Sequence, residues 1–182
     1  MVQKYEEEYN KAKIAAALAD QFDDIEVTRP KKAYEDAGHT VEVVGLEEGT
    51  VTGKHGEQVQ VDVKVADADY GTYDALFIAG GFSPDILRAD DEMVEFTKQF
   101  MDDMKPVFTI CHGPQLLINT KTLDGRDITG YKSILVDLEN AGAKLHDTSV
   151  FVCQNQLVSS RTPDDLDDFE KASVELLQEK GL

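Results

Sequence analysis

The chain has 182 residues, which fits one domain large enough to bury a core without cross-links. Apolar residues make up 41% and charged residues 30%, a globular composition that excludes the disordered and membrane-embedded classes. The 36 acidic side chains outnumber the 18 basic ones, and a net charge of -18 repels phosphate backbones, so neither nucleic acid nor an anionic membrane is an expected partner.

Residues 1–12 read as a polar lead-in, and 13–182 as a single domain. Ile14–Leu18 reads as the first strand; the apolar run to Ala19 is too short to cross a membrane. Glu6, Glu7 and Glu8 stand where a secretion signal would carry positive charge, so a cytoplasmic protein is expected. Asp23 to Ala37 reads as a helix closed by Gly38 and interrupted by Pro30. Thr40–Val44 alternates with period two and reads as the second strand.

A turn-rich stretch follows from Glu47 to Gly56, and then Val59 to Val65 alternates strictly, as one strand with a wet face that can form part of a hairpin. Ala75–Ile78 is a short apolar strand running into Gly80-Gly81. Asp91 to Met104 carries an apolar stripe of Met93, Val94, Phe96, Phe100 and Met101 and reads as an amphipathic helix. Pro106–Ile110 reads as a buried strand, Pro114 to Asn119 as the start of a helix, and Ser133 to Ala141 as another. Val150 to Ser160 reads as a hairpin turning at Gln154-Asn155-Gln156, and a last helix capped at Pro163 or Asp164 runs to Glu179. Alternating strands and helices point to a mostly parallel sheet covered by helices.

The segment Val107-Phe-Thr-Ile-Cys111-His112-Gly113-Pro114-Gln115 concentrates the chemistry. An apolar strand stops, one turn follows and an apolar helix begins. Pro114 suits the first helical position, and Gly113 removes a side chain where the backbone must turn sharply and where a substrate could approach. A cysteine there lies at the carboxyl edge of a parallel strand and beside free helix N–H groups, which favour thiolate over thiol. The turn resembles the nucleophile elbow of α/β hydrolases, with Thr109 in place of that motif's first glycine.

Gly80-Gly81 can offer oxyanion-binding N–H groups or can simply be a tight turn. Asp20, Asp23, Asp24 and Glu26 leave the same sheet edge; one can reach the cysteine, or all can complement the helix dipole. Cys153 reads as structural, and Cys111 and Cys153 are too far apart in sequence to suggest a disulfide. His39, His55, His112 and His146 show no zinc-ligand spacing, and no cofactor or metal is expected. The acidic, glycine-free Asp20-Gln21-Phe22-Asp23-Asp24 does not suit a phosphate-cradling loop.

Six separated segments resemble the PfpI/ThiJ family of intracellular proteases and stress proteins, in the family's order. They are Phe-Asp-Asp-Ile-Glu at 22–26, Gly-Thr-Val-Thr-Gly-Lys-His-Gly at 49–56, Ala-Gly-Gly at 79–81, Ile-Cys-His-Gly-Pro-Gln at 110–115, Asp-Leu-Glu-Asn-Ala-Gly-Ala at 137–143 and Val-Ser-Ser-Arg-Thr-Pro-Asp-Asp-Leu at 158–166. The resemblance implies a flavodoxin-like three-layer α/β sandwich related to the class I glutamine amidotransferases. It implies Cys111 as nucleophile, His112 as its catalytic neighbour, and Glu26 as a buried carboxyl group hydrogen-bonded to the sulfur. It implies Gly81 and Gly113 as oxyanion-hole donors, and Asp85, reaching across a subunit interface, as the group that orients the histidine.

The family commonly has Glu where this chain has Asp85, and Ala79 replaces a usual proline. No role is implied for His55. The later His-x-Glu pair of glutamine amidotransferases is missing, because Thr148 follows His146 at that spacing. The implied activity is that of a cysteine-dependent peptidase or amidase, or of a cofactor-free glyoxalase or deglycase acting on methylglyoxal or glycation adducts. The implied assembly is a homodimer or a larger ring of dimers, taking a small carbonyl compound or a peptide. The alternative is a non-enzymatic stress protein, a redox sensor or chaperone, using Cys111 as an oxidant-sensitive thiol.

Overall fold

The computed structural model describes residues 11–182, so most of the expected lead-in at 1–12 lies outside the described residues. The first half holds β1 (Lys13–Ala17), α1 (Asp24–Asp36), β2 (Thr40–Gly45), β3 (Gly49–Thr52), β4 (Gln58–Val61), β5 (Val63–Lys64) and β6 (Ala75–Ile78). Then come α2 (Ser83–Leu87), α3 (Asp91–Asp102), β7 (Val107–Ile110), α4 (Pro114–Thr120), β8 (Asp127–Ile128), α5 (Leu135–Asn140) and β9 (Lys144–Leu145). The chain closes with β10 (Phe151–Cys153), β11 (Leu157–Ser160) and α6 (Leu166–Glu179).

Seven strands form one sheet in the order β10-β11-β7-β6-β1-β2-β5, parallel throughout except for the β10–β11 pair at one edge. Side chains alternate between its faces. Leu76 and Ile78 of β6 join one apolar cluster with Phe96 and Phe100 of α3 and Leu116 and Leu117 of α4. Ala75 and Phe77 join the other, with Tyr34 of α1 and Phe169 and Leu176 of α6. The result is the expected three-layer α/β sandwich.

The helices form for local reasons. The carboxylate of Asp90 accepts the N–H of Met93 at 2.8 Å and caps α3, whose buried face is the predicted stripe apart from the half-buried Val94. Helix α1 continues through Pro30, which is buried against the sheet side.

Two predictions fail locally. The alternating run 59–65 is not one strand. The N–H of Asp62 donates to the Val43 carbonyl at 2.9 Å, and its carboxylate accepts the Val43 N–H at 2.7 Å. That double clasp bends the chain, so β4 pairs with β3 in a separate hairpin while β5 extends the main sheet. The turn-rich stretch before it holds β3, and the turn proper is confined to 53–56. The short α2 and the β8–β9 pair carry too little periodicity to be read from sequence.

Strand order reverses between β1 and β6: β2 lies on one side of β1, whereas β6 and β7 follow on the other. Loops leaving the carboxyl ends of these strands diverge around a crevice, the usual ligand position in open α/β sheets.

Candidate active site

Three loops meet at that crevice. The loops after β1 and β6 are zipped together: Asp23 N–H donates to the Gly80 carbonyl at 3.2 Å, and Phe82 N–H to the Gln21 carbonyl at 2.8 Å. The hydroxyl of buried Ser83 accepts the Ala19 N–H at 2.9 Å. These bonds place the third residue of α1, Glu26, directly under Gly80, whose N–H donates to Glu26 Oε1 at 2.9 Å.

The third loop carries Cys111 just past β7. Its φ is 60°, a left-handed conformation that costs a non-glycine residue free energy and persists only when its surroundings impose it. They do: Cys111 N–H donates to the Ser160 carbonyl at 3.1 Å, and its own carbonyl accepts the Tyr131 N–H at 2.8 Å. Beside the sulfur, His112 Nδ1 lies 3.3 Å from Sγ. The imidazole stacks on Tyr131 with centroids 4.7 Å apart, and its Nε2 lies 3.2 Å from the Ser133 hydroxyl.

Close approach explains two glycines. A Cβ on Gly80 would lie 2.3 Å from Glu26 Oε1 and 2.8 Å from Cys111 Cβ. A Cβ on Gly113 would lie 2.2 Å from Thr109 Oγ1 and 2.6 Å from the Ile78 carbonyl. Gly113 therefore serves strand packing and not substrate approach. Gly80→Ala should cost about 2 kcal/mol of stability by forcing overpacking and should slow alkylation of Cys111. Urea denaturation and a timed iodoacetamide reaction check both outcomes.

The expected oxyanion donors need one correction. Gly113 N–H is already committed to the Ile110 carbonyl at 2.9 Å, closing the turn. Among the described residues, the backbone N–H groups at the crevice not committed to a carbonyl are those of Gly81 and His112. The His112 N–H acts on the Cys111 sulfur and favours its ionised form.

The expected resting thiolate also needs correcting. Burial, followed by the charge of Glu26, pushes the Cys111 thiol well up from its ordinary range. Burial likewise pushes the Glu26 carboxyl up, to about 8, with the charge of Asp23 adding to it. Glu26 Oε2 is buried without a conventional hydrogen-bond partner, and the thiol and carboxyl shift each other's titration. Both groups cannot be anionic together, so they titrate as a pair. At neutral pH the pair is a protonated carboxyl facing a thiol. Burial, with the ammonium of Lys54 beside it, holds His112 below its usual range, so the imidazole is neutral and able to accept the thiol proton.

Cys111 and His112 line a cavity of about 610 Å³ together with Gln21, Asp23, Lys54, Phe82, Asp85 and Gln115, and Glu26 lies buried behind it. Asp85, on α2, stands at its rim with its carboxylate 3.9 Å from Arg88. Among the described residues, the group at the imidazole Nε2, on the side away from the sulfur, is Ser133 and not Asp85. His146 pairs with Asp127 at 2.7 Å and is not among the cavity residues. Cys153 is buried, and its sulfur accepts hydrogen bonds from Arg126 and Asp127 N–H at 3.3 Å, in keeping with a structural part.

A nucleophile elbow backed by a buried glutamate is matched at family level: residues 12–176 match the model of the DJ-1/PfpI family. The chain belongs to the DJ-1/PfpI family. It is 58% identical over 168 residues to General stress protein 18 of Bacillus subtilis, covering 91% of this chain and 98% of that one. It is 57% identical over 167 residues to the B. subtilis protein named "Putative cysteine protease YraA", with the same coverage. Among solved structures, a two-domain Anabaena variabilis protein with DJ-1/ThiJ/PfpI-like and ferritin-like domains aligns with a TM-score of 0.89 at 34% identity. That alignment covers 92% of this chain and 48% of the longer one. The ThiJ/PfpI domain protein of Brachyspira murdochii aligns with a TM-score of 0.87 at 27% identity, over 93% and 99% of the two chains.

Within this DJ-1/PfpI site, sequence reasoning missed Ser133, Tyr131 and Lys54. Ser133 and Tyr131 lie about twenty residues beyond the elbow, and no local pattern marks them as its neighbours. Lys54 lies inside one of the segments that carry the family resemblance, the only available signal for it. No helix among the described residues is long and apolar enough to cross a membrane.

Proposed function

We propose that this protein is a cysteine-dependent enzyme in which Cys111 adds to a carbonyl group. The observation that carries the reading is His112 Nδ1 at 3.3 Å from Cys111 Sγ, inside a cavity lined by Gly81 and His112, whose N–H groups are not committed to a carbonyl. As the sulfur attacks, a C–S bond forms, the thiol proton passes to His112 Nδ1, and the carbonyl π pair moves to oxygen. Gly81 and His112 N–H are the donors available to that oxyanion. In the hydrolase branch, His112 then protonates the leaving amine, and a water molecule activated by the same imidazole releases the acyl group. In the glyoxalase-like branch, a proton shift turns the hemithioacetal of a dicarbonyl compound into a hydroxyacyl thioester, and water then cleaves its C–S bond to release the hydroxy acid and return the thiol. Glu26, protonated at neutral pH, supplies a hydrogen-bond donor when the sulfur is ionised.

The name of the cysteine-protease relative favours hydrolysis of a peptide or amide. A cavity of about 610 Å³ suits a small carbonyl compound or one or two residues of a peptide. Assaying methylglyoxal and a fluorogenic peptide side by side, with Cys111→Ala as control, tests the reading; full turnover by that variant overturns it. The general-stress relative favours a second reading, in which Cys111 reports oxidants. Selective sulfinic-acid formation at Cys111 under mild peroxide, with no turnover of either substrate, would establish that reading instead. A role for Asp85 in a homodimer, directed at the histidine of a second copy, belongs to the proposal, and light scattering of the purified protein checks the assembly it needs.

A further inference from the structure

The β3–β4 hairpin stands apart from the main sheet, yet its tip is bolted to the loop that leads into α1. Gln21 N–H donates to the Thr52 carbonyl at 2.7 Å, and Lys54 N–H to the Phe22 carbonyl at 3.0 Å. Asp20 accepts the Thr52 N–H at 2.9 Å, and Asp24 accepts the N–H groups of His55 and Glu57 at 3.1 and 3.0 Å. Gly53 is packed so closely that a Cβ there would lie 2.1 Å from Asp24 Oδ1. A strand hairpin gains little by fastening a hydrophilic tip so firmly, unless the tip has something to deliver.

What it delivers is the ammonium group of Lys54. Its Nζ lies 2.8 Å from Asp23 Oδ2 and lines the cavity with Cys111 and His112. Among the described residues no other lysine or arginine lines that cavity, in a protein whose net charge is -18. The titratable groups facing the sulfur's surroundings are Glu26 from α1, Asp23 before it, Asp85 from α2, His112 and Tyr131 beside the elbow, and Lys54 from the hairpin. Of these, Lys54 alone is a fixed cation.

We propose that Lys54 and Asp23 form a positioning pair of opposing charges that sets how readily Cys111 ionises, with the hairpin as its mount. The ammonium group favours a negative sulfur and disfavours a positive imidazole, keeping His112 free to accept a proton. Asp23 opposes it by adding negative charge beside Glu26 and Cys111. The Coulombic influence of Lys54 on His112, and of Asp23 on Glu26 and Cys111, runs in these directions. The proposal deepens the reading of Cys111 as a nucleophile, but its test reads the sulfur directly and needs no substrate.

The test is the rate of Cys111 alkylation by iodoacetamide between pH 6 and 10 in Lys54→Gln, Lys54→Arg and Asp23→Asn, with urea denaturation of each variant. Both charge-removing variants break the same ion pair. If the pair merely fastened the hairpin, both would change the rate in the same direction. The proposal requires opposite signs. Lys54→Gln should shift the profile up by about one pH unit, roughly tenfold slower near neutrality, and Asp23→Asn should shift it down. Lys54→Arg should stay near the parent profile. Equal shifts in the two variants, or none, overturn the proposal. Normal alkylation shifts with no turnover on any substrate would instead retire the enzymatic reading and leave this one standing.

Discussion

Replacing Cys111 with alanine should lower turnover by about 1,000-fold or more, because the atom that forms the covalent adduct is gone. The neighbouring machinery cannot substitute. Water at the vacated position has no thiol to surrender, although His112 and the N–H groups of Gly81 and His112 remain. The turn itself should survive: its bonds from Cys111 N–H to Ser160 and from Tyr131 N–H to the Cys111 carbonyl are backbone bonds. Cys111→Ser is the more exacting control. It keeps the shape of the side chain but offers an alcohol, a far weaker nucleophile than a sulfur. Both variants should unfold cooperatively in urea, and turnover indistinguishable from the parent in either would remove Cys111 from the mechanism.

Glu26→Gln should change the pH dependence of stability by an amount large for a single residue. The carboxyl group ordinarily titrates near 4.5 and is pushed up to about 8 in the folded protein, chiefly by burial. Below pH 4.5 folded and unfolded chains both hold the proton, so the group contributes its full share of stability. Between 4.5 and 8 the unfolded chain releases the proton while the folded chain keeps it, so stability falls as pH rises. Above about 8 the folded chain must carry a buried charge, and the contribution is lost. The difference is on the order of 5 kcal/mol across the window.

Glutamine keeps an oxygen for the Gly80 N–H and does not titrate, so its variant should lack this slope and be the more stable protein at pH 9. Urea midpoints at pH 5, 7 and 9 measure it; parallel curves for the two proteins would show that the carboxyl group is not held neutral. Activity should fall in the same variant, since an amide N–H is a weaker hydrogen-bond donor to an ionised sulfur than a protonated carboxyl group.

The reach of sequence reasoning differs from one part of the site to another. The elbow is legible because its determinants are local. An apolar strand, a cysteine, a glycine that admits close packing and a proline at the first helical position all fall within eight residues. The other strands of the main sheet are legible for the same reason, since each is a short apolar or alternating run, whereas β5 lies in the run that the bend at Asp62 divides. The bend at Asp62 is not legible, because it comes from a side chain reaching Val43 in a neighbouring strand.

The four acidic residues after β1 show where the boundary lies. Spacing alone leaves them equivalent, as helix-end charges or as partners of the cysteine. Folding gives each a separate task. Asp20 and Asp24 hold the hairpin, Asp23 pairs with Lys54, and Glu26 turns beneath Gly80 to face the sulfur. The oxyanion donors follow the same rule. Gly113 has the right residue type and the wrong hydrogen bond, and His112 N–H is the free donor at that turn.

The amino-acid order by itself determined the layered α/β architecture and the placing of Cys111 at the strand-to-helix turn, because strand periodicity and turn chemistry act over a few neighbouring residues. The tertiary structure alone decided which carboxyl group the sulfur meets, which backbone donors stay free and which cation reaches the cavity. Those outcomes depend on loops from β1, β6, β7 and the β3–β4 hairpin closing on one another. Burial there also reverses the ionisation expected of an isolated thiol at a helix start, since a charge removed from water is stabilised only by the partners the fold brings to it.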